Sequence, residues 1–152
     1  MPYLSSYDSE TVKNNIERLN NLSESSTAKW GTMNAAQMLA HLNVAYDITF
    51  ERKEVNINGV MRWAMTKFLK PLVVGDKPYK RNSGTAPFFK IQDNKNFEEE
   101  KALLTENMKN VEQKGASYFE GRKYPSFNNM TADDFSNLFQ KHIEHHFEQF
   151  GI

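Results

Sequence analysis

Four of the 152 residues are histidines, and three of them fall in one run near the C-terminus, His142-Ile143-Glu144-His145-His146. Two imidazoles four residues apart on a helix lie on one face, one turn apart. That is the spacing by which a helix offers two nitrogen ligands to a single ion. With Phe135 set at zero and about 100° per residue, His142 falls at about −20° and His146 at about +20°. Leu138, Phe139 and Phe150 flank them, so both rings point along the middle of an apolar face. His145 falls at about −80°, on the edge of that face.

The fourth histidine, His41, sits in a segment that is apolar on most sides, with Met38, Ala45 and Ile48 on its own face. Each observation has a plainer reading. An i, i+4 histidine pair near a chain end is often solvated, and a single inward histidine is more often a hydrogen-bonded core residue. The joint pattern is stronger, because both inward faces carry histidine and no other strongly basic group. Burying three unpartnered imidazoles would cost on the order of 1–3 kcal/mol for each, and one shared divalent cation satisfies all three. The expected ligands are therefore His41, His142 and His146. Three protein ligands with an open fourth position is the pattern of a catalytic rather than a structural zinc site. Gln37, one turn before His41, and Gln149, at about −40° and one turn past His146, are candidates to orient the rings, with His145 beside them. Glu144 points about 200° away from His142, so the zincin arrangement is not met and no general base is assigned.

Helices must position these residues. Val12, Ile16, Leu19 and Leu22 form a first amphipathic stripe following Ser9. Asn34 and Gln37 make a capping-box start for a second helix running to about Phe50. Residues 59–74 predict a shorter helix broken at Pro71, and Pro78, Gly84 and Pro87 mark the chain from there to residue 95 as irregular. Asn96 and Glu99 open a third long helix that stops at Gly115, and Thr131 caps the last, which runs to near Gln149. Four long helices with short 1–2 and 3–4 connections and a long 2–3 connection predict a single all-α domain over residues 1–152, a bundle with a crossover.

Composition narrows the chemistry. Lysine plus arginine equals aspartate plus glutamate at 19 each, so nothing points to nucleic acid. The absence of cysteine rules out thiolate ligands and disulfides. No apolar stretch of about 20 residues predicts a membrane span, and Met1 to Asp8 lacks the apolar core of a secretory signal, so a cytoplasmic protein is expected. Residues 60–81 are basic and apolar together: Arg62, Lys67, Lys70, Lys77, Lys80 and Arg81 among Trp63, Phe68 and their neighbours. This segment reads as a lid over the bundle end or a homodimer contact ahead of a membrane-surface helix. Trp63 and Phe68 are expected to line the pocket, and the basic residues to receive an anionic substrate group.

Two motifs carry a family resemblance. Trp30-Gly31-x-Met33-Asn34-x-x-Gln37-Met38-Leu39-x-His41-Leu42 resembles the second-helix signature of the DinB/YfiT-like metalloenzyme superfamily. His142-x-x-His145-His146-x-x-Gln149-Phe150-Gly151 resembles its closing motif, in the form found in an uncharacterised branch. The Thr85-Ala86-Pro87 turn also fits. The resemblance implies a four-helix bundle in up-down-down-up order, with nickel or zinc on His41, His142 and His146. It implies chemistry on small molecules, either thiol S-transfer with a low-molecular-weight thiol or hydrolysis, and the alternative is a non-catalytic metal-binding stress-response or interaction module. One departure stands out: where relatives often read His-Pro-x-Phe-Gly before the last helix, this chain has Tyr124-Pro125-Ser126-Phe127-Asn128.

Overall fold

The computed structural model of the chain describes residues 3–152 and is all-helical, with no strand among those residues. Seven α-helices follow in order: α1 (Ser9–Leu19), α2 (Ala35–Thr49), α3 (Gly59–Phe68), α4 (Lys70–Val74), α5 (Phe97–Lys114), α6 (Ala116–Phe119) and α7 (Ala132–Phe150). A single 3-10 turn, Pro87–Phe89, interrupts the irregular stretch between α4 and α5. No helix among the described residues is long and apolar enough to cross a membrane.

The helix starts obey local chemistry. Asp8 Oδ2 accepts from the Thr11 backbone N–H and so caps α1, one residue ahead of the expected Ser9. Asn34 Oδ1 accepts from Gln37 N at 2.8 Å while Asn34 N donates to Gln37 Oε1 at 3.0 Å, closing the capping box of α2. Asn96 caps α5 through Glu99 N. Thr131 and Asp134 form a second full capping box at the start of α7. Gly115 ends α5 at φ 72°, a left-handed conformation that residues with a Cβ rarely adopt.

The segment expected to break at Pro71 breaks two residues earlier, at Leu69. Proline has no N–H to give, but the first turn of a helix does not use that donor, so Pro71 sits inside the opening turn of α4.

Helix α2 is buried on nearly every side and packs against both α5 and α7, while α1 covers α5, and α4 and α6 cover α7. An aromatic stack fills the space between α2 and α7. Tyr46 lies parallel to Phe139 with ring centroids 4.5 Å apart, and Phe119 meets both Phe135 and Phe139. Polar pairs fix how the helices slide past one another. Asn15 and Gln140 bond across α1 and α7, and Asn43 and Asn107 across α2 and α5. Because an unmatched buried amide costs more than a matched one returns, such pairs select one register. Glu144 belongs to this framework: it accepts from Arg18 at 2.8 Å and from Gln140 at 3.0 Å, on the face of α7 turned toward α1.

Candidate metal centre

Three rings converge where α2 and α7 meet. His41 comes from the middle of α2, and His142 and His146 come from successive turns of α7. Ring centroids are 4.7 Å apart for His41–His142, 4.7 Å for His41–His146 and 4.9 Å for His142–His146. One nitrogen from each ring lies within 4.8 Å of the other two. His41 and His146 are buried and His142 is half-buried.

The outer nitrogens are spoken for, and that fixes what the inner ones can do. His41 Nδ1–H donates to the Phe89 carbonyl at 2.8 Å. His146 Nδ1–H donates to Gln149 Oε1 at 2.6 Å. A carbonyl and an amide oxygen can only accept, so the proton of each ring sits on Nδ1 and the Nε2 lone pair is left bare. In metal sites, ligand histidines are held this way, with one nitrogen anchored to an acceptor and the other given to the ion. His41 Nε2 and His142 Nε2 are 2.8 Å apart, and because His41 carries its proton on Nδ1, the His142 N–H donates to it. Nitrogens sharing one zinc at about 2.0–2.1 Å stand about 3.3 Å apart at the tetrahedral angle. The one close pair lies slightly inside that distance and all three nitrogens lie within 4.8 Å, and the donor set is all-nitrogen, so these three residues could hold a metal ion.

Electrostatics favour the form a metal needs. Burial holds the His41 ring below its ordinary range against the pull of the Phe89 carbonyl. His142 lies well below, through burial and then the neighbouring rings of His41 and His146. His146 is pushed down to about 3, by burial first and the His41 ring second. All three are therefore neutral and ready to ligate near pH 7.

The anchors are themselves anchored. Gln149 Nε2 donates to the Trp30 carbonyl at 2.8 Å, and the Gln149 backbone carbonyl accepts from Lys29 N at 2.7 Å. The end of α7 is thus tied to the loop before α2. Gly31 is required there, because at its φ of 80° a Cβ would stand 2.7 Å from Gln149 Nε2. On the other side, Lys53 Nζ donates to Phe88 O at 2.7 Å and holds the turn that presents Phe89 to His41. Replacing Gln149 by leucine frees His146 to rotate and leaves the Trp30 carbonyl without its donor. Zinc affinity is expected to fall 10–100-fold, read by competition with a chromophoric chelator, with the helical content unchanged.

The other residues singled out in the sequence lie elsewhere. Gln37 gives its oxygen to the cap of α2 and its amide N–H to Asp93 O at 3.2 Å, so it pins the loop rather than a ring. His145 packs edge-on against Trp30 and Tyr79 beside the cluster. Trp63 and Phe68 stand exposed on α3, and Lys67 Nζ lies over both rings. The rings that flank the histidines are Phe89, which meets His41 and His142, and Tyr79, which meets His142 and His145. The sequence pattern singles out neither. Both sit in the irregular stretch after α4, which has no period from which to infer a facing. Tyr124, where relatives often carry histidine, is buried against Phe127 and Phe135 at the opposite end of α7 from His146.

Fold and site together define an all-helical protein with a three-histidine cluster able to hold a metal ion. Residues 3–151 match the family model DUF1569, described as a protein of unknown function, and the chain belongs to that family. No curated protein and no solved structure matches it.

Proposed function

We propose that the protein is a divalent-metal protein of the DinB/YfiT-like kind, a four-helix bundle in up-down-down-up order, using zinc or nickel on His41, His142 and His146 to act on a small molecule. The observation that carries this reading is the pair of anchored tautomers. His41 and His146 each give their Nδ1–H to a fixed acceptor, which leaves each Nε2 lone pair bare, and one nitrogen of every ring lies within 4.8 Å of the other two. The two sequence motifs and the long 50–96 connection between α2 and α5 support the bundle order. His41, His142 and His146 would hold the ion, and bound there it would supply Lewis acidity toward an oxygen or sulfur group of the small molecule. The protein's own part is to keep the rings neutral and oriented, while Phe89 and Tyr79 limit water around them. Thiol S-transfer and hydrolysis are the reaction classes consistent with that centre.

One observation favours a second reading, a metal-binding module without turnover. The acid nearest in sequence to the ligands, Glu144, is committed to Arg18 on the face away from the rings. The deciding measurement is elemental analysis of protein purified without a histidine tag. About one zinc or nickel per chain is the expected result. A metal-free protein that also fails to take up Zn²⁺ or Ni²⁺ in equilibrium dialysis would remove both readings.

A further inference from the structure

Helix α3 contributes no buried residue at all. Among the described residues, eight large apolar side chains stand exposed, and six of them lie within residues 60–72. Val60 is 81% exposed, Trp63 57%, Phe68 65% and Leu72 66%, with Met61 and Leu69 beside them. Isolated exposed apolar residues are ordinary, but six within one short segment mark a surface that something covers.

We propose that this face, built on α3 and the start of α4, is the interface between two copies of the chain. Area is the first argument. At these exposures the six side chains offer on the order of 700 Å², close to the ~800 Å² that each partner contributes to a standard interface. Composition is the second: Trp, Phe and Met with few charges is what the centre of a protein–protein interface looks like. The third argument separates a second copy from an anionic membrane, the other occupant that a basic, apolar segment suggests. Lipid headgroups need cations that stand free at the rim. On α3 and the start of α4 two of the three cations turn inward: Arg62 donates to the carbonyls of Pro125 and Ile57, and Lys70 pairs with Asp134 at 2.8 Å, while the exposed Lys77, Lys80 and Arg81 lie beyond α4. Lys67 lies back over its own neighbours, 5.2 Å from the Trp63 ring and 5.4 Å from the Phe68 ring. The outward surface of α3 is therefore apolar apart from Lys67. A two-fold contact would place each α3 against its symmetry mate and close the assembly at two subunits.

Light scattering of the purified protein over a concentration series is the test. A mass of twice the 17.6 kDa chain at micromolar concentration is the expected result. The double variant Trp63→Ser and Phe68→Ser should return the single-chain mass, raising the dimer dissociation constant at least tenfold. Both side chains are exposed, so the circular dichroism spectrum should not change. Leu72→Lys provides a second route if that variant is poorly soluble. Leu4→Ser, exposed but distant in sequence from this face, should leave the dimer intact. A chain that stays monomeric at 100 µM overturns the proposal. So does a dimer that survives both α3 variants. A monomer that sediments with phosphatidylserine vesicles and not with phosphatidylcholine vesicles would assign the face to the membrane instead.

Discussion

Zinc added to metal-free protein is expected to raise its unfolding midpoint by roughly 10 °C. A ligand that binds only the folded state stabilises it by RT ln(1 + [L]/Kd), about 4 kcal/mol when the ion is present at a thousand times its Kd. For a domain of about 150 residues each kcal/mol shifts the midpoint by about 2–4 °C. The folded state should bind far better than the unfolded one, because His41 and His142 are 101 residues apart in the chain and only folding brings their nitrogens to 2.8 Å. His146→Ala removes one ligand and the ring that Gln149 holds, and should abolish most of the zinc-dependent shift. That variant also empties a buried site, so its metal-free midpoint is expected to fall as well. His142→Ala removes a second ligand together with the N–H that His41 accepts, so it should also lose the zinc response while its metal-free midpoint falls. A scan in which zinc moves the parent and both variants equally would place binding somewhere other than these three residues.

How much of this centre is legible in the sequence depends on which structural period governs each residue. His142 and His146 are four apart on a helix whose apolar positions are unambiguous, so their common facing follows from 100° per residue. The same arithmetic sends Glu144 to the opposite face, where it meets Arg18. His41 is legible for a related reason, since a helix buried on nearly all sides leaves a histidine nowhere to go but inward.

Gln37 shows where periodicity stops. It does lie one turn before His41, but it also occupies the N3 position of a capping box. Its oxygen is drawn back to Asn34 before it can reach a ring. The signature Asn34-x-x-Gln37 already contains that competing demand. Phe89 and Tyr79 are illegible because irregular backbone has no facing to calculate, and which carbonyl meets His41 Nδ1 is decided by tertiary contacts such as Lys53 to Phe88 O. The expectation that Trp63 and Phe68 line a pocket, because they are large and apolar, uses residue type alone. The neighbouring cations Arg62 and Lys70, tied to the body of the protein, set α3 with its rings facing outward.

Metal-free protein should lose stability steeply as the pH falls below about 6.5, and the histidines set the sign. In the unfolded chain their rings take up a proton near pH 6.5. In the folded chain burial holds His41 below that value, His142 well below it and His146 down to about 3. Between the unfolded and folded values the unfolded state carries more protons, so stability is fully present above about 6.5 and falls as acid is added. A ring contributes a slope of at most about 1.4 kcal/mol per pH unit, and only between its unfolded and folded values. His146, held down to about 3, keeps contributing across the whole range from 6.5 down to about 3, while His41 and His142 add to the slope just below 6.5. Melting curves at pH 7.5, 6 and 5 in the presence of a chelator would read the slope directly. His142→Gln keeps a neutral polar side chain but cannot take a proton, and should flatten the slope just below pH 6.5. Zinc-loaded protein should start higher and fall faster, because protons compete with the ion for the same nitrogens. A midpoint that stays level from pH 7.5 to 5 without metal would mean that the three rings remain accessible to protons. The closed, neutral cluster on which the metal assignment depends would then be wrong.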